Sequence, residues 1–167
     1  MATYWRDLIE RTYADVSGPG GTASKPRFSP PASAEDIAAA ERQLGRKLPP
    51  SLTSLLMETD GVMDMMSVGG GDYFEDMWLI WPTERTVMAS LVDRSQYVVT
   101  PSDADTSGLV FFADAGVDGI LFAFPPASAD TCDTKVVVWH PLRGTVSDLA
   151  DSLEAFIAGW LTGRLTV

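Results

Sequence analysis

Two helix signals placed back to back in residues 31–61 constrain the fold more than any other stretch of this sequence. Ser33 is a typical N-cap residue. Asp36, three residues later, carries a carboxylate that can accept hydrogen bonds from the first free amides and that favours the positive end of the helix dipole. Gly45 is expected to end this helix in the left-handed conformation. Pro50 suits the first turn of a second helix, because its missing N–H costs nothing there.

The side chains of both helices fall on single faces at helical spacing. These are Ile37, Ala40, Glu41 and Leu44 in the first helix, and Leu52, Leu55, Leu56 and Thr59 in the second, which Gly61 is expected to close. Two short amphipathic helices cannot bury both stripes against each other alone. The pair must therefore pack on a further layer of structure.

The same block resembles the opening signature of the SUKH superfamily, which includes the fungal cell-wall assembly regulators and many bacterial immunity proteins. The resemblance lies in the order E-x-x-L-G-x-x-L-P-x-x-L-x-x-L-L-x-x-x-D-G, which runs from Glu41 to Gly61. Three later segments extend it, namely FFADAGVDGILFAF, VVVWHP and ADSLEAFIAGWL, so that it covers residues 32–161. The resemblance implies a protein-binding role, as an immunity protein that neutralises a toxin or as a regulatory scaffold with an endogenous partner.

The remaining patterns predict an α+β fold, with a mostly antiparallel sheet of about four to six strands packed against the N-terminal helix pair and a C-terminal helix. The expected organisation is a single domain over residues 1–167, with an N-terminal helix at 1–17, a flexible connector at 18–31 and a family-like core at 32–161. The connector is predicted because residues 18–31 are rich in Gly, Pro, Ser and Lys without a period.

The second half contains the strand signals. Residues 62–76 lack strand alternation and are predicted to form a long methionine- and glycine-rich loop, followed by an apolar central strand at 77–81. Three antiparallel strands are expected at 109–112, 120–124 and 135–140. A closing helix carries its apolar face from Leu149 to Leu161, with Thr145 or Ser147 as its cap.

The charge of the chain points to the class of partner. The formal net charge is −11, from 23 acidic and 12 basic residues, and no Lys or Arg occurs between Leu48 and Glu84. Such a surface repels the phosphates of nucleic acids and the anionic face of a membrane. We therefore expect a basic protein as partner, such as a nuclease toxin domain, and neither direct nucleic-acid binding nor a membrane.

The composition argues against several kinds of site. A single cysteine, Cys132, excludes an internal disulfide, and one thiol with one histidine cannot build a structural zinc site within one chain. We expect no metal and no cofactor. The first residues carry charges and lack the apolar region of a signal peptide, so a cytoplasmic location is expected. The sequence leaves the oligomeric state open.

The candidate contact residues are acidic and aromatic side chains in turn-rich segments. Acidic residues matched to a basic toxin would speed encounter and block its active surface. The candidates are Asp64, Asp72, Tyr73, Glu75 and Asp76, then Asp103, Asp105, Asp114 and Asp118. The competing interpretation for each is a solvated acidic surface or a turn residue whose side chain bonds its own backbone.

A small hydrolase is the third hypothesis. General acid–base chemistry needs titratable groups that converge on a pocket, and Asp114, Asp118 and His140 are the available set. Asp is favoured in Gly-containing turns for structural reasons, however, and a strand-end histidine commonly bonds a backbone carbonyl. The sequence therefore favours a chain without catalytic residues.

Overall fold

The computed structural model describes residues 4–16, 19–97, 104–126 and 135–167. These residues form five helices and two antiparallel sheets, which confirms the α+β class. The helices are α1 (Tyr4–Ala14), α2 (Ala34–Leu44), α3 (Pro50–Glu58), α4 (Thr83–Leu91) and α5 (Leu153–Leu161). The strands are β1 (Thr22–Phe28), β2 (Val62–Val68), β3 (Phe74–Ile80), β4 (Val110–Asp114), β5 (Leu121–Phe124), β6 (Val136–His140) and β7 (Thr145–Ala150).

The predicted helix pair forms as expected from its local signals. Ser33 caps α2, and its side chain and that of Asp36 form a reciprocal capping box. Gly45 ends the helix with a φ of 67°. Pro50 is the first residue of α3, which ends at Glu58. The prediction that Gly61 closes this helix is wrong, because the C-cap is Thr59 in an extended conformation. Gly61 lies three residues beyond the end of α3, and its positive φ of 102° stands immediately before β2.

Two stretches predicted as irregular are strands. In place of a flexible connector, residues 22–28 form β1, which pairs with β2 over its whole length and has Pro26 at the edge of the sheet. In place of the long loop, residues 62–80 form the antiparallel hairpin β2–β3 with two register shifts. The order of this sheet is β1-β2-β3, so β3 is an edge strand and not the central one predicted. Pairing of β2 with the sequence-distant β1 and with the adjacent β3 overrides the weak local strand propensity of these residues.

The second sheet has the order β4-β5-β6-β7, and its first three strands confirm the prediction. The fourth strand, β7, occupies the residues predicted to cap the closing helix. Ser152 is the cap instead, and its hydroxyl accepts a hydrogen bond from the amide of Ala155. Thr145 and Ser147 pair with His140 and Val138 of β6.

Two apolar clusters fix how the layers pack. The larger cluster combines side chains of α1, α2, α3 and α5 with one face of β4, β5 and β6, and includes the fully buried Phe122 and Phe156. The smaller lies on the opposite face of these strands around Trp81, Phe111 and Trp139. The backbone amide of Trp81 donates to the carbonyl of Phe112 over 2.7 Å, which joins the end of β3 to β4. The β2–β3 turn lies at the other end of β3 from this hydrogen bond, and residues 68–76 around it are exposed.

Candidate functional site

The β2–β3 turn carries the first group of predicted contact residues. Gly69 and Gly70 adopt positive φ values of 61° and 76°, and the Ser67 hydroxyl donates to the carbonyl of Gly71 over 2.7 Å. We call residues 68–76 the hairpin tip. Its apolar side chains are well exposed, with 56% of Val68, 41% of Tyr73 and 49% of Phe74 accessible to solvent. An ordered turn therefore presents an aromatic and aliphatic patch to solvent.

One face of the three-stranded sheet joins basic residues of β1 to the hairpin. Lys25 and Glu75 both pair with Met65 of β2, so the three side chains share a face. The ammonium of Lys25 lies 4.0 Å from the ring centroid of Tyr73, and a guanidinium nitrogen of Arg27 lies 2.6 Å from Glu75. Tyr73 and Glu75 thus already have cationic neighbours within the chain.

The opposite face of the sheet contains two acidic residues, the partly buried Asp64 and the exposed Asp76. Asp64 pairs with Pro26, and Asp76 follows Glu75, so both side chains lie on the face covered by α1. Burial, and then repulsion from Asp76, raise the pKa of Asp64 to about 6. Burial and the same two carboxylates raise the pKa of the Tyr13 hydroxyl in α1. The Tyr13 hydroxyl oxygen and Oδ1 of Asp64 are buried, and neither atom forms a hydrogen bond within the described residues.

Two carboxylates of the hairpin remain without a cation. Among the residues that the structure describes, no ion pair involves Asp72 or Asp76, and both residues are exposed. They flank the exposed rings of Tyr73 and Phe74. The hairpin tip therefore combines unpaired negative charge with exposed aromatic surface.

The second group of predicted contact residues has structural roles. Asp105 accepts hydrogen bonds from the amide and hydroxyl of Ser107, which lower its pKa. Asp114 accepts from the indole of Trp81 over 3.0 Å and from the amide of Gly116, and it lies 3.2 Å from Arg85. Asp118 is an exposed turn residue with a φ of 53°. Asp103 and Cys132 lie outside the described residues.

The hypothetical catalytic trio does not converge. Asp114 is bonded to Trp81, whose ring belongs to the smaller cluster together with that of Trp139. His140 follows Trp139 in β6, so its side chain projects to the opposite face of the sheet. Burial lowers the pKa of His140, with a smaller contribution from Arg143. The three side chains therefore do not share a pocket in which a proton could be transferred.

A groove with a volume of about 370 Å³ lies between α2 and α4. Asp36, Asp60 and Glu84 contribute carboxylates to its walls. Two of these already have structural partners. Asp36 belongs to the capping box of α2, and Asp60 Oδ1 accepts from the amide and hydroxyl of Thr83 at the start of α4. This remote carboxylate, and not a side chain of α4 itself, caps the helix.

The described residues contain no metal-binding cluster of three or more His, Cys, Asp or Glu side chains. Within the same residues, no helix has the length and apolar character needed to cross a membrane.

Sequence reasoning missed the residues that surround the hairpin tip. The sequence pattern places Lys25 and Arg27 in the predicted connector and gives no signal for Phe74. In residues 22–28, small or apolar residues alternate with basic ones, and this period of two is typical of a strand. The structure agrees, because burial alternates along β1.

The fold and the site together define an α+β protein whose hairpin tip exposes acidic and aromatic side chains, and whose Asp114 and His140 lie on opposite faces of a sheet. The SMI1 / KNR4 family (SUKH-1) model matches residues 31–159, well over half of the chain. The chain belongs to this family, which confirms the superfamily resemblance. The matched region excludes α1 and β1, so these elements precede the family core. The comparison with curated proteins gives no match for this chain.

Proposed function

We propose that this protein is a non-enzymatic immunity protein that binds a basic toxin domain and occludes the active surface of that domain. The observation that carries the proposal is the hairpin tip, where Asp72 and Asp76 lack a cation within the described structure beside the exposed Tyr73 and Phe74. Membership of the SMI1 / KNR4 family is compatible with this role and with a regulatory one. The proposed partner is basic because the chain has a net charge of −11.

The mechanism is electrostatic attraction followed by steric exclusion. Unpaired surface carboxylates raise the rate of encounter with a positively charged protein, and this effect weakens as salt screens the charges. Aromatic side chains at the centre of an interface supply much of the affinity once water is excluded. A nuclease whose basic groove is covered in this way cannot admit its own polyanionic substrate.

A growth assay tests the function directly. If the proposal holds, the gene next to that of this chain should encode a secreted protein with a C-terminal toxin domain. Expression of that domain should stop bacterial growth, and co-expression of the chain should restore growth. The pair of substitutions Asp72→Lys and Asp76→Lys should reduce the association rate constant at low salt by about tenfold or more and flatten its salt dependence. Asp151→Lys serves as the control. It reverses one charge in the bend before α5, as each of the two substitutions reverses one charge at the hairpin tip.

Two results would overturn the proposal. The first is full growth inhibition by the toxin domain despite soluble expression of the chain. The second is the absence of a complex between the two purified proteins at about 10 μM each, because immunity proteins act through binding well below that concentration. Either result would favour the regulatory scaffold over the immunity role.

A further inference from the structure

We infer that the partner is bound by β-strand addition, in which an extended segment rich in lysine and arginine pairs with the outer edge of β3 at Phe74–Met77. This inference rests on the proposed function and specifies how the hairpin engages its partner. It depends on three independent features of the three-stranded sheet: a free backbone edge, a basic strand already bound on the other side of the hairpin, and unpaired carboxylates beside the edge.

The first feature is the open edge. β3 terminates the order β1-β2-β3. It reaches the second sheet at its carboxyl end, where the amide of Trp81 donates to the carbonyl of Phe112, and the Met77 side chain lies beside Gly116 in the turn after β4. No backbone hydrogen bond on the outer side of Phe74–Met77 is present among the described residues. Such an edge is a template for pairing with another chain.

The second feature is the way in which β1 binds the other side of the hairpin. β1 is an extended segment with Lys25 and Arg27 at alternate positions, and it pairs with β2 along its whole length. Both cations reach across β2 to side chains at the tip, Lys25 to Tyr73 and Arg27 to Glu75. The hairpin thus already accepts one basic strand by main-chain pairing combined with cation contacts. The inferred segment repeats this arrangement at the opposite edge.

The third feature is the charge that remains at the free edge. Asp76 lies within the edge segment and Asp72 just before it, and neither forms an ion pair within the described part of the chain. Asp76 also repels the partly buried Asp64. A lysine or arginine beside Asp76 would relieve that repulsion. A second copy of this chain would instead bring two acidic edges together, which disfavours a homodimer.

The exposed apolar side chains fit the same mode. Phe74 lies at the start of the edge segment, with Val68 and Tyr73 in the adjoining turn. In strand addition, main-chain hydrogen bonds supply affinity, and alternate side chains of the added strand provide specificity. Phe74 and Asp76 lie on one face of β3 and Tyr73 on the other, because alternate residues of a strand share a face. An added strand that alternates basic and apolar residues would therefore place its cations beside Asp76 and the Phe74 ring, and its apolar side chains on the face of Tyr73.

A designed peptide tests the inference without knowledge of the partner. The probe is a capped peptide of about seven residues that alternates Lys or Arg with Val, titrated into the ¹⁵N-labelled full chain at pH 7.5. We expect amide shifts concentrated at Phe74–Met77 and about tenfold slower hydrogen exchange of the outward-facing amides. Two matched peptides serve as controls. One carries Glu in place of the basic residues, and the other carries N-methyl groups on the amides that would face β3.

Variants of the chain provide the second comparison. Asp76→Lys should weaken binding of the basic peptide by about tenfold or more, whereas Asp151→Lys should change it by less than about twofold. Equal affinity for the N-methylated peptide, an unchanged affinity in Asp76→Lys, or shifts located elsewhere would each overturn strand addition. So would absence of peptide binding at millimolar concentration, which would mean that the acidic residues only protect the edge from pairing.

The purified toxin domain separates this inference from the proposed function. A complex in which the amides of Phe74–Met77 exchange as in the free chain would overturn strand addition and leave the immunity function intact. Peptide binding at this edge together with failure of the toxin domain to bind would overturn the immunity function and support the edge as a docking site for another basic strand.

Discussion

A guanidinium nitrogen of Arg27 and a carboxylate oxygen of Glu75 lie 2.6 Å apart, and this ion pair spans β2 to join β1 to β3. Both side chains are about half exposed, so the pair contributes at most about 1 kcal/mol to stability. The ion pair matters because it brings a cation to the acidic hairpin. The residues between Leu48 and Glu84 contain no cation of their own, and the fold supplies Lys25 and Arg27 from the N-terminal strand. The unpaired charge of the hairpin is therefore limited to specific carboxylates.

Replacement of Gly61 should be far more damaging than replacement of Gly45. Both glycines have positive φ, but a Cβ at Gly61 would lie 2.9 Å from the Trp78 ring and 3.0 Å from the Pro82 nitrogen, whereas a Cβ at Gly45 would meet nothing within 4 Å. Gly61→Ala should cost about 2–4 kcal/mol, because steric overlap adds to backbone strain, and Gly45→Ala about 1 kcal/mol from strain alone. Urea denaturation measures both losses. Equal losses would show that the contacts around Gly61 relax freely.

Removal of the Glu58 carboxylate should loosen the docking of α1. Oε2 of Glu58 accepts hydrogen bonds from the backbone amides of Trp5 and Arg6 at 2.9 and 3.2 Å, and these amides belong to the first turn of α1. Glu58→Ala should lower the free energy of unfolding by about 1–2 kcal/mol, as loss of a helix cap does. Glu58→Gln retains an acceptor oxygen and should lose about half as much.

Hydrogen exchange identifies where the Glu58 effect acts. In Glu58→Ala, the amides of α1 should exchange faster than in the parent chain, while those of β5 and β6 should change only with global stability. Identical exchange of α1 in the two variants and the parent would contradict the capping role.

The carboxyl group of Asp64 should make the protein less stable as the pH rises. Its pKa is about 6 in the folded chain and close to 3.8 when unfolded, so the folded state holds the proton more tightly between these values. The folded state is thus favoured below about pH 4, and this stabilisation is lost as the pH rises through about 6. Because Asp64 is only partly buried, solvent screening limits the effect to about 1–2 kcal/mol.

Asp64→Asn is the variant that isolates this effect. Relative to the parent, it should gain about 1–2 kcal/mol of stability between pH 4.5 and pH 7.5, measured by urea denaturation at both values. Asp76→Asn keeps Asp64 but removes the neighbouring charge, so it should lower the pKa of Asp64 in an NMR titration of the carboxyl carbon. A constant stability difference between Asp64→Asn and the parent would show that Asp64 titrates as in an exposed site.

Sequence reasoning recovered the elements with strong local signals. The Ser33 and Asp36 capping box, the left-handed Gly45 and the first-turn Pro50 depend on neighbours within a few residues, so their patterns are readable without the fold. The apolar runs of β4, β5 and β6 were equally clear, because strands buried on both faces are almost continuously apolar.

The elements that the sequence pattern does not predict depend on strand pairing, which joins β1 to the sequence-distant β2 and β2 to β3. β1 and the β2–β3 hairpin contain Lys, Pro, Asp and Met where strong strands have β-branched residues, and they are stabilised by one another. The cap of α4 likewise comes from Asp60, which lies beyond the reach of any local helix signal. The sequence pattern therefore predicts a connector and a loop where the structure has a three-stranded sheet.

The sequence by itself determined the α+β class, the paired helices, the antiparallel second sheet and the excess of acidic charge, because each follows from local spacing or from composition. Only the tertiary structure decided which carboxylates are free. It neutralises Glu75 with Arg27, assigns Asp105 and Asp114 to structural hydrogen bonds, and leaves Asp72 and Asp76 beside an open strand edge. The physical reason is that hydrogen bonds and ion pairs form between groups that are close in space, and chain order does not specify those neighbours.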